Sequence, residues 1–428
     1  MAASGSRSQL ESSAAHRQID LPSTTWAAGK RRIALAMERL DPRAGGAEAY
    51  VIALARKLVA AGWEVHLFGI QWVGVPAEAR FHRIAVPAWL PAWIRVLWFA
   101  LGHRRRLRGH SFDVVVGFGR TIAMNAYQTH WGVHRRAAAR VALARSTRLS
   151  RTLARVAVWT TPKHLARHWI ESAPFRIHPR PLILAISELI RRDLADEHGV
   201  DESSIPLVWN GVDRQRFSPA VRQRATGALR RQLATAAGDV VFLLVAYALL
   251  QKGILPLIEA VARMHLAGRD GFRVWVVGAS PSWVVRRRLT RLRCGDRFRF
   301  AGRTTVVEQY YGEADVLVHP TFSDACPLVM LEALACGVPV ITTAANGLAE
   351  RIVDGAEGFV IPSPPAPRVL ADRMSMLLAA ERRHAMALAA AAAGALLDED
   401  TQHNLVLEHL ERLAARPPAG LTKAPRRG

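Results

Sequence analysis

The chain has 428 residues, of which 50% are apolar, so it exceeds the size of a single hydrophobic core and two domains are expected. No run of about 18 uncharged apolar residues occurs and the N-terminus has no apolar segment, which argues against a spanning helix and a signal peptide. The three cysteines (Cys294, Cys326 and Cys336) have no zinc or redox spacing, and their odd, sparse count fits a reducing cytoplasm; Cys326 and Cys336 are expected to be small packing residues.

The formal net charge of +23 is unevenly distributed along the chain. From Arg80 to Ile170, Asp113 is the only acid beside 17 Arg or Lys residues. Such a field attracts anionic partners: nucleic acid, anionic lipid or a phosphorylated glycolipid. A high-GC genome that encodes Arg in place of Lys is the alternative, but it does not explain the missing acids.

Strands and helices are predicted to alternate in the N-terminal half. The Ser/Ala-rich residues 1–29 are expected to be disordered. The apolar runs predict strands at 32–37, 65–68, 112–117, 182–187 and 205–209, with a helix after Gly46, a long basic helical region at 134–170 and a helix capped by Ser187.

Two features of this half favour function. Gly45 and Gly46, between the first strand and its helix, let a ligand approach the backbone closely, although a simple tight turn is the alternative. Residues 88–108 place tryptophans beside Arg104, Arg105 and Arg106, a combination that suits a membrane interface; an ordinary helix with Trp in its core is the alternative.

The same alternation continues in the C-terminal half. Strands are predicted at 240–245, 273–277, 297–301, 314–318 and 338–342, with helices at 254–267, 281–293, 306–313, about 366–398 and near 402–414. Repeated βα units predict an α/β fold of two Rossmann-like doubly wound sheets, with ligands at the carboxyl ends of the strands in the cleft between domains. We place the domains at 30–220 and 221–398, with a C-terminal helix at 399–415 packing back on the first domain and a disordered tail at 416–428.

The stretch from His319 to Glu350 carries the strongest indication of a site. Asp324 lies in a loop after an apolar strand, and Pro327 suits the first position of the helix that follows. The free N–H groups of Leu328 and Val329 can bind phosphate, and Glu332 is placed to accept hydrogen bonds from ribose hydroxyls. Together these residues predict a nucleotide site.

The order of these motifs resembles the retaining glycosyltransferases of the large family 4 group, which adopt the two-domain GT-B fold. The resemblance spans roughly residues 32–415 and is most specific in the C-terminal half. Around Asp113–Phe118, Tyr127 and the basic insert that follows, the chain is more narrowly similar to lipopolysaccharide inner-core glucosyltransferases. The residues that carry the family resemblance are Gly45-Gly46, Asn210-Gly211-Val212-Asp213, Lys252-Gly253, Asp324 and Glu332.

The resemblance implies a role for each matching residue. Glu332 accepts the ribose hydroxyls of a nucleotide-sugar donor, Lys252 neutralises its pyrophosphate, and Asp324 contacts its sugar. Pro327, Leu328 and Val329 form the helix start that holds the same phosphates. Gly45 and Gly46 let the first domain close over the donor, and His130 is the candidate for the active-site histidine.

Three positions depart from the family pattern. Asp324 stands where the family has a glutamate, so its carboxylate is one methylene shorter. Tyr247 stands where the family often has an arginine, preceded by Ala246 in place of glycine, and Arg303 is a candidate to supply the lost charge.

The resemblance further implies a metal-independent reaction without a cofactor. The acceptor is expected to be a glycolipid or saccharide at the inner face of the plasma membrane, in lipopolysaccharide or other cell-surface glycan synthesis. The donor is expected to be UDP-glucose or a similar sugar nucleotide, and nucleic acid is not an expected partner.

Other interpretations stay open at the level of sequence. The same fold hosts sugar-nucleotide epimerases and phosphorylases, and a non-catalytic nucleic-acid binder fits the charge but leaves the acids without a role. Lys252 also fits a solvated helix start, Asp324 a helix cap, and His130 a hydrogen-bonded core histidine.

Overall fold

The N-terminal half folds around the strand at Arg32–Ala36, whose Ile33, Ala34 and Leu35 are fully buried. The computed structural model describes residues 30–42, 45–145 and 147–416. The strands of this half are β1 (Arg32–Ala36), β2 (Arg39–Leu40), β3 (Glu64–Gly69), β4 (Gln71–Trp72), β5 (Arg80–Arg83), β6 (Val114–Gly117), β7 (Ala126–Gln128) and β8 (Leu182–Leu184). Its helices are α1 (Gly46–Ala60), α2 (Ala92–Leu107), α3 (His134–Ala142), α4 (Arg148–Thr160), α5 (Pro162–Ser172) and α6 (Glu188–His198).

The C-terminal half repeats the pattern. Its strands are β9 (Val240–Val245), β10 (Phe272–Val277), β11 (Phe298–Gly302), β12 (Val316–His319), β13 (Val340–Thr343) and β14 (Gly358–Ile361). Its helices, with two short ones in the connection, are α7 (Ala220–Gln223), α8 (Ala228–Gln232), α9 (Ile254–Leu266), α10 (Trp283–Arg291), α11 (Val307–Glu313), α12 (Leu328–Ala335), α13 (Pro367–Met376), α14 (Ala380–Ala395) and α15 (Glu399–Ala414).

Both large sheets share one topology. Among the described residues, the first has the order β5-β3-β1-β6-β7-β8 and the second β11-β10-β9-β12-β13-β14, with parallel pairing throughout. The strand order reverses between β1 and β6 and again between β9 and β12. A doubly wound sheet binds ligands at the carboxyl ends of its strands beside such a reversal. The prediction of two Rossmann-like α/β sheets is confirmed.

The two halves touch through side chains and backbone next to these edges. Asn210 donates from Nδ2 to the backbone oxygen of Cys326 at 2.9 Å. Arg192 on α6 forms an ion pair with Glu350. A Cβ on Gly347 would lie 2.3 Å from the Ser187 hydroxyl, so only glycine permits this close approach.

The last helix, α15, lies against the first half of the chain. Val406 and Leu410 are buried in the same apolar cluster as Ile33 and Leu54. The connection between the halves contacts the second half at Val212, whose N–H donates a hydrogen bond to the backbone oxygen of Leu397 at 2.8 Å. The predicted boundary at 220/221 falls inside α7. The predicted disordered end at 1–29, and all but Arg416 of the predicted disordered tail at 416–428, lie outside the described residues.

Several predicted elements differ from the structure. The basic region 134–170 forms three helices, because Thr147 caps one new helix and Pro162 begins another. Residues 205–209 make only a single bridge, Ala185 to Leu207, next to Pro206, which has no N–H to donate. The stretch 366–398 is divided into α13 and α14.

The length and hydropathy of the helices bear on whether any of them could span a membrane. In the part of the chain that the structure describes, every helix is too short or too polar to cross a bilayer.

Candidate functional site

The candidate site is built on the connections that leave β9 and β12, the two strands between which the order of the second sheet reverses. Lys252 ends the first connection, and Asp324 lies in the second. The two residues are 72 positions apart in sequence, and the fold brings them into contact. The reversal point of this sheet therefore holds one cation and one anion from the predicted set.

A glycine fixes the position of Lys252. Gly253, at the start of α9, has a φ of 81°, and a Cβ there would lie 2.0 Å from the Pro320 oxygen. Both facts require glycine, because a side chain fits neither the conformation nor the space. The preceding residue, Gln251, accepts a hydrogen bond on its backbone oxygen from the Phe322 N–H at 3.0 Å. These contacts hold the lysine beside the loop after β12.

Asp324 is held by a backbone hydrogen bond and by an ion pair of its side chain. Its N–H donates to the Ala345 oxygen at 3.0 Å. Its carboxylate forms an ion pair with Lys252 and accepts a hydrogen bond from His319 Nε2 at 2.9 Å. Burial raises the pKa of this carboxyl, but the Lys252 ammonium and the His319 hydrogen bond outweigh burial and hold the pKa far below its usual range. Asp324 is therefore ionised at any working pH.

The ion pair decides two of the open alternatives. Lys252 is not a freely solvated helix start, because its side chain is only 20% exposed and contacts Asp324. Asp324 does not cap the next helix, whose first residues receive no side-chain hydrogen bond within the described structure. Both side chains instead point their charges at each other in the loop region.

The helix start after this loop differs by one residue from the prediction. Pro327 is the residue before the helix, with a φ of −71° and an extended ψ of 122°, and α12 begins at Leu328. The proline ring favours that φ, and its ψ turns the chain into the helix. Leu328 and Val329, whose first-turn N–H groups have no intrahelical acceptor, are partly exposed, whereas Met330 and Leu331 are buried.

Glu332 lies one turn further along α12 and is held by an aromatic hydroxyl. Tyr311 donates from its hydroxyl to Glu332 Oε2 at 2.7 Å. Burial raises the pKa of Glu332 to about 7, although the Tyr311 hydrogen bond and the charge of Arg216 oppose this rise. The carboxyl therefore changes its charge near neutral pH, where a ligand hydroxyl can select the ionised form.

The opposite wall of the cleft comes from the first sheet. A Cβ on Gly46, the first residue of α1, would lie 3.1 Å from Leu328 Cδ1 at the start of α12. A Cβ on Gly45 would lie 2.7 Å from the Glu48 carboxylate, so the space next to Gly45 is occupied by a side chain of α1. The structure thus brings Gly46 of the first domain, but not Gly45, against the predicted phosphate-binding helix of the second.

His130 lies in the connection that follows β7 of the first sheet, and among the described residues it forms no hydrogen bond or ion pair with Asp324 or Glu332. Its ring packs 4.3 Å from that of Tyr50, centroid to centroid, and burial lowers its pKa to about 3. Its Nε2 is buried and has no hydrogen-bond partner among the described residues. This ring nitrogen therefore does not fit the alternative of a core histidine whose hydrogen bonds are all made. Within the described structure no hydrogen bond joins His130 to Lys252, Asp324 or Glu332.

Tyr247 and Arg303 are neighbours at the carboxyl edge of the second sheet. The Arg303 guanidinium lies 5.6 Å from the centre of the Tyr247 ring, after β11 and β9 respectively. This distance is in the range of a cation–π contact. Arg303 therefore lies next to Tyr247, the position at which the family often has an arginine.

Two side chains of the site were not among the predicted residues. His319 and Tyr311 hold the carboxylates of Asp324 and Glu332, respectively. His319 ends the buried strand β12, five residues before Asp324. A polar residue at the end of a buried strand is a local feature from which the sequence could have predicted it as a site residue. Tyr311 is 21 residues from Glu332, and no local pattern joins the two.

The arrangement suits a ligand with a phosphate and a hydroxylated ring. A lysine and the N–H groups of a helix start stabilise negative charge that develops on a leaving phosphate. A carboxylate one turn further in accepts hydrogen bonds from a diol. Two facing doubly wound domains with such a site on the second define the GT-B class of fold.

Family models give the same class from sequence. A model described as Glycosyltransferase Family 4 matches residues 44–216, and one described as Glycosyl transferases group 1 matches residues 239–380. The first match covers the strands of the first sheet except β1, and the second match covers the whole second sheet. The chain belongs to these glycosyltransferases.

Individual proteins are similar to this chain over different shares of its length. D-inositol 3-phosphate glycosyltransferase of Geodermatophilus obscurus is 36% identical over 211 residues, which are 45% of this chain and 46% of that protein. Lipopolysaccharide glucosyltransferase WaaG of Escherichia coli is 32% identical over 114 residues, 27% of this chain and 30% of that protein. The chain spans about half the length of the first curated relatives it matches, 46% and 56%.

Solved structures share the fold along almost the whole chain. The crystal structure of WaaG, a glycosyltransferase involved in lipopolysaccharide biosynthesis, has a TM-score of 0.76 at 20% identity and covers 88% of this chain and 99% of that one. Anabaena Alr3699/HepE in complex with UDP-glucose has a TM-score of 0.63 at 18% identity, with 89% and 99% covered.

Proposed function

We propose that this protein is a retaining hexosyltransferase that moves a hexose from a nucleotide sugar, UDP-glucose or a close analogue, to a glycolipid or saccharide acceptor. The observation that carries the proposal is the Lys252–Asp324 ion pair beside the start of α12, with Glu332 one turn away. A structural neighbour binds UDP-glucose, and relatives are named for inositol phosphate and lipopolysaccharide acceptors. We place the reaction in lipopolysaccharide or other cell-surface glycan synthesis.

In this proposal each side chain has one task. Glu332 accepts the ribose hydroxyls, and Leu328 and Val329 donate their N–H groups to the pyrophosphate. Lys252 exchanges part of its contact with Asp324 for the donor phosphates as charge develops on the leaving group. Asp324 then contacts hydroxyls of the transferred sugar.

Retention follows if the acceptor attacks from the face that the leaving group occupies. The departing phosphate oxygen accepts the proton of the acceptor hydroxyl while the bond to the anomeric carbon forms. No carboxylate pair of the glycosidase type is then needed. Closing Gly46 over the helix start keeps water away from the oxocarbenium-like state.

A donor screen tests this proposal. We expect UDP sugars to raise the melting temperature more than GDP or ADP sugars do, and the stabilising donor to support transfer to lipid acceptors. Glu332→Ala should abolish transfer without unfolding the chain. The proposal fails if no sugar nucleotide stabilises the protein or if Glu332→Ala turns over near the normal rate.

We also propose that the reaction needs no metal ion or other cofactor. Lys252 and the dipole of α12 supply the positive charge that a metal would bring to the pyrophosphate. Transfer should proceed unchanged after exhaustive treatment with EDTA. Loss of turnover that added Mg²⁺ or Mn²⁺ restores would refute metal independence.

The sugar-nucleotide epimerase remains the alternative enzyme. It predicts that the donor is hydrolysed without acceptor and that the released sugar is epimerised. Product analysis by NMR separates the two, because the proposed transferase retains the sugar's configuration and needs an acceptor.

We further propose that the protein docks on the cytoplasmic face of an anionic membrane. Four apolar side chains along one side of α4 are 52% to 70% exposed: Leu149, Leu153, Val156 and Trp159. Exposed arginines of the same helix lie between them in sequence, and Arg104, Arg105 and Arg106 on α2 are exposed as well. An apolar stripe flanked by guanidinium groups fits lipid tails and phosphate headgroups.

Vesicle sedimentation tests the membrane proposal. We expect binding to vesicles with anionic lipid, weakened by Leu149→Ser with Leu153→Ser and by neutralising Arg104 to Arg106. Leu388→Ser is a matched control, since this exposed leucine lies on α14 in the other half of the chain. Equal binding to neutral vesicles would contradict the electrostatic part.

A further inference from the structure

Two adjoining grooves lie beside α2, at the edge of the first sheet that β5 forms. The first has a volume of about 310 Å³ and the second about 470 Å³. Ile84 and Ala85 line both, so the grooves meet at the segment that follows β5. Gly102 on α2 lines the second groove, and a Cβ there would lie 2.8 Å from Ile84 Cγ2. The helix therefore approaches this segment closely because residue 102 has no side chain.

The first groove is mainly apolar. Ile70 and Val86 are half-buried in its lining, and Trp98 lines it with 48% of its surface exposed. The indole is held in place, because its Nε1–H donates to the Ala85 oxygen at 3.1 Å. Among the described residues that line this groove, Arg83 alone is charged. An apolar ligand that covers this surface removes it from water.

The second groove is cationic. Arg105 and Arg106 line it from the end of α2, and His110 lines it from the segment before β6. Both arginines are exposed, and neither forms an ion pair within the part of the chain that the structure describes. Asp113 is the only acid from Arg80 to Ile170, and its carboxylate already accepts a backbone N–H at 2.7 Å. The groove therefore offers N–H donors without a counter-charge.

The cationic groove lies apart from the proposed transfer site. Gly109 and His110 come before β6, toward the amino ends of the strands, whereas the cleft is at the carboxyl ends. The His110 ring packs 5.1 Å from that of His82 on β5, centroid to centroid, so this end of the groove is fixed to the sheet. The grooves are therefore separate from the places of the donor and of the group that receives the sugar.

An apolar groove that continues into a cationic one fits an amphiphile with an anionic head. Two guanidinium groups match the charge of nearly −2 on a phosphate monoester, and their paired N–H groups match its oxygens. The apolar walls fit a hydrocarbon chain, and an indole suits the boundary between chain and head. A soluble sugar phosphate would leave the first groove uncovered. An acidic peptide would need cations along its whole length, and the first groove has only Arg83.

We infer that the two grooves form a lipid site, which binds a phosphate monoester head at Arg105 and Arg106 and an acyl chain beside Val86 and Trp98. This inference rests on the proposed membrane docking, because it names one lipid contact within it. Arg104 is exposed on the same helix but lines neither groove. The site therefore distinguishes neighbouring arginines, which general attraction to a basic surface does not.

Short-chain lipids that stay monomeric test the inference without a bilayer. The full chain is saturated with UDP, so that the Lys252 site is filled. It is then titrated calorimetrically at constant ionic strength with dihexanoyl phosphatidic acid, dihexanoyl phosphatidylcholine and glycerol 3-phosphate. We expect the phosphatidic acid to bind at least tenfold more tightly than either of the others, since it alone fits both grooves.

Each comparison can overturn one part of the inference. Equal affinity for glycerol 3-phosphate would reduce the site to one for free phosphate. Equal affinity for the phosphatidylcholine would remove the role of the monoester charge. Tighter binding of hexaglutamate than of the phosphatidic acid would replace the lipid by an acidic peptide.

Matched variants locate the binding. Arg106→Gln should weaken the phosphatidic acid at least tenfold, since it removes a charge-assisted hydrogen bond. Arg104→Gln removes the same charge from the same helix and should change the affinity by less than about twofold. Val86→Ser should reduce the preference for the phosphatidic acid over glycerol 3-phosphate and leave glycerol 3-phosphate binding unchanged. Equal weakening in Arg104→Gln and Arg106→Gln, or an unchanged preference in Val86→Ser, would overturn the inference.

Vesicle sedimentation of the same proteins separates this inference from the docking proposal. If anionic vesicles bind the wild type while the short-chain phosphatidic acid does not, the lipid site falls and the docking stands. If anionic vesicles do not bind the wild type, the docking proposal itself fails.

Discussion

Protonation of Glu332 is expected to control donor affinity near neutral pH. Burial raises the pKa of this carboxyl to about 7 from an ordinary value of 4.5. The ionised form accepts two hydrogen bonds from a ribose diol, whereas the protonated form has one oxygen occupied by its own proton. Affinity for the donor should therefore fall as the pH falls through about 7.

The size of the effect follows from the titration. One pH unit below its pKa, a carboxyl is about one-tenth ionised, so the dissociation constant rises roughly tenfold per unit. Each charge-assisted hydrogen bond contributes about 1.5 to 3 kcal/mol, so donor binding that depends on the ionised form loses affinity down to roughly pH 5. Above pH 8 the affinity should be flat.

Calorimetric titration with UDP-glucose between pH 5.5 and 8.5 measures this dependence. The sugar nucleotide suits the purpose because its pyrophosphate diester does not titrate in that range. Glu332→Gln keeps the shape of the side chain and should give weak, pH-independent binding. Glu399→Gln is the control, since the pKa of Glu399 is also raised to about 7, by burial and by Asp213, at the start of α15.

The same shift predicts a change in stability with a definite sign. The folded-state pKa lies above the unfolded value, so ionised Glu332 destabilises the fold, and this cost appears as the pH rises from about 4.5 to 7. Glu332→Gln should melt higher than wild type at pH 8, with a smaller difference at pH 5. A flat donor affinity in the wild type, or the same slope in Glu332→Gln, would refute the role given to this carboxyl.

Three further predictions concern the rest of the cleft. Lys252→Gln leaves Asp324 without its counter-charge and the leaving phosphate without a cation; kcat, measured as UDP release, should fall roughly 100-fold or more, and a loss under tenfold would contradict the assignment. Gly46→Val places methyl groups against Leu328, which a Cβ alone would approach to 3.1 Å. The variant should bind UDP-glucose roughly tenfold more weakly, and Leu328→Ala in the same chain should restore binding; no recovery would argue against the contact. His130 has a pKa lowered to about 3 by burial and is neutral above pH 5, so kcat at saturating donor should show no inflection from it between pH 5 and 8. An inflection that disappears in His130→Ala would contradict this.

The sheets were predictable because their signal is local. A buried parallel strand is a short apolar run, and Val240–Val245 or Val316–His319 can be recognised from composition alone. Helix ends with strong local chemistry were predictable too, such as Ser187, which accepts from the Ile190 N–H at 3.2 Å. The long basic region is divided into three helices, because Thr147 and Pro162 start new ones inside a stretch whose composition predicts a single helical region.

The residues of the candidate site were predictable from the sequence, but the contacts between them were not. Sequence named Lys252, Asp324 and Glu332 from their places beside strands and helix starts. It did not show that the first two neutralise each other, or that His319 and Tyr311 hold the two acids. Arg303 was only a candidate, and its contact with the Tyr247 ring came from the structure.

The sequence was sufficient to place most strands and helices, and the side chains at the strand ends, because both depend on neighbours a few residues away. The tertiary structure alone decided the pairing of Lys252 with Asp324 across 72 residues and the approach of Gly46 to Leu328. These contacts join loops from different strands. Their formation depends on sheet order and domain closure, and no local periodicity encodes the distance between two such loops.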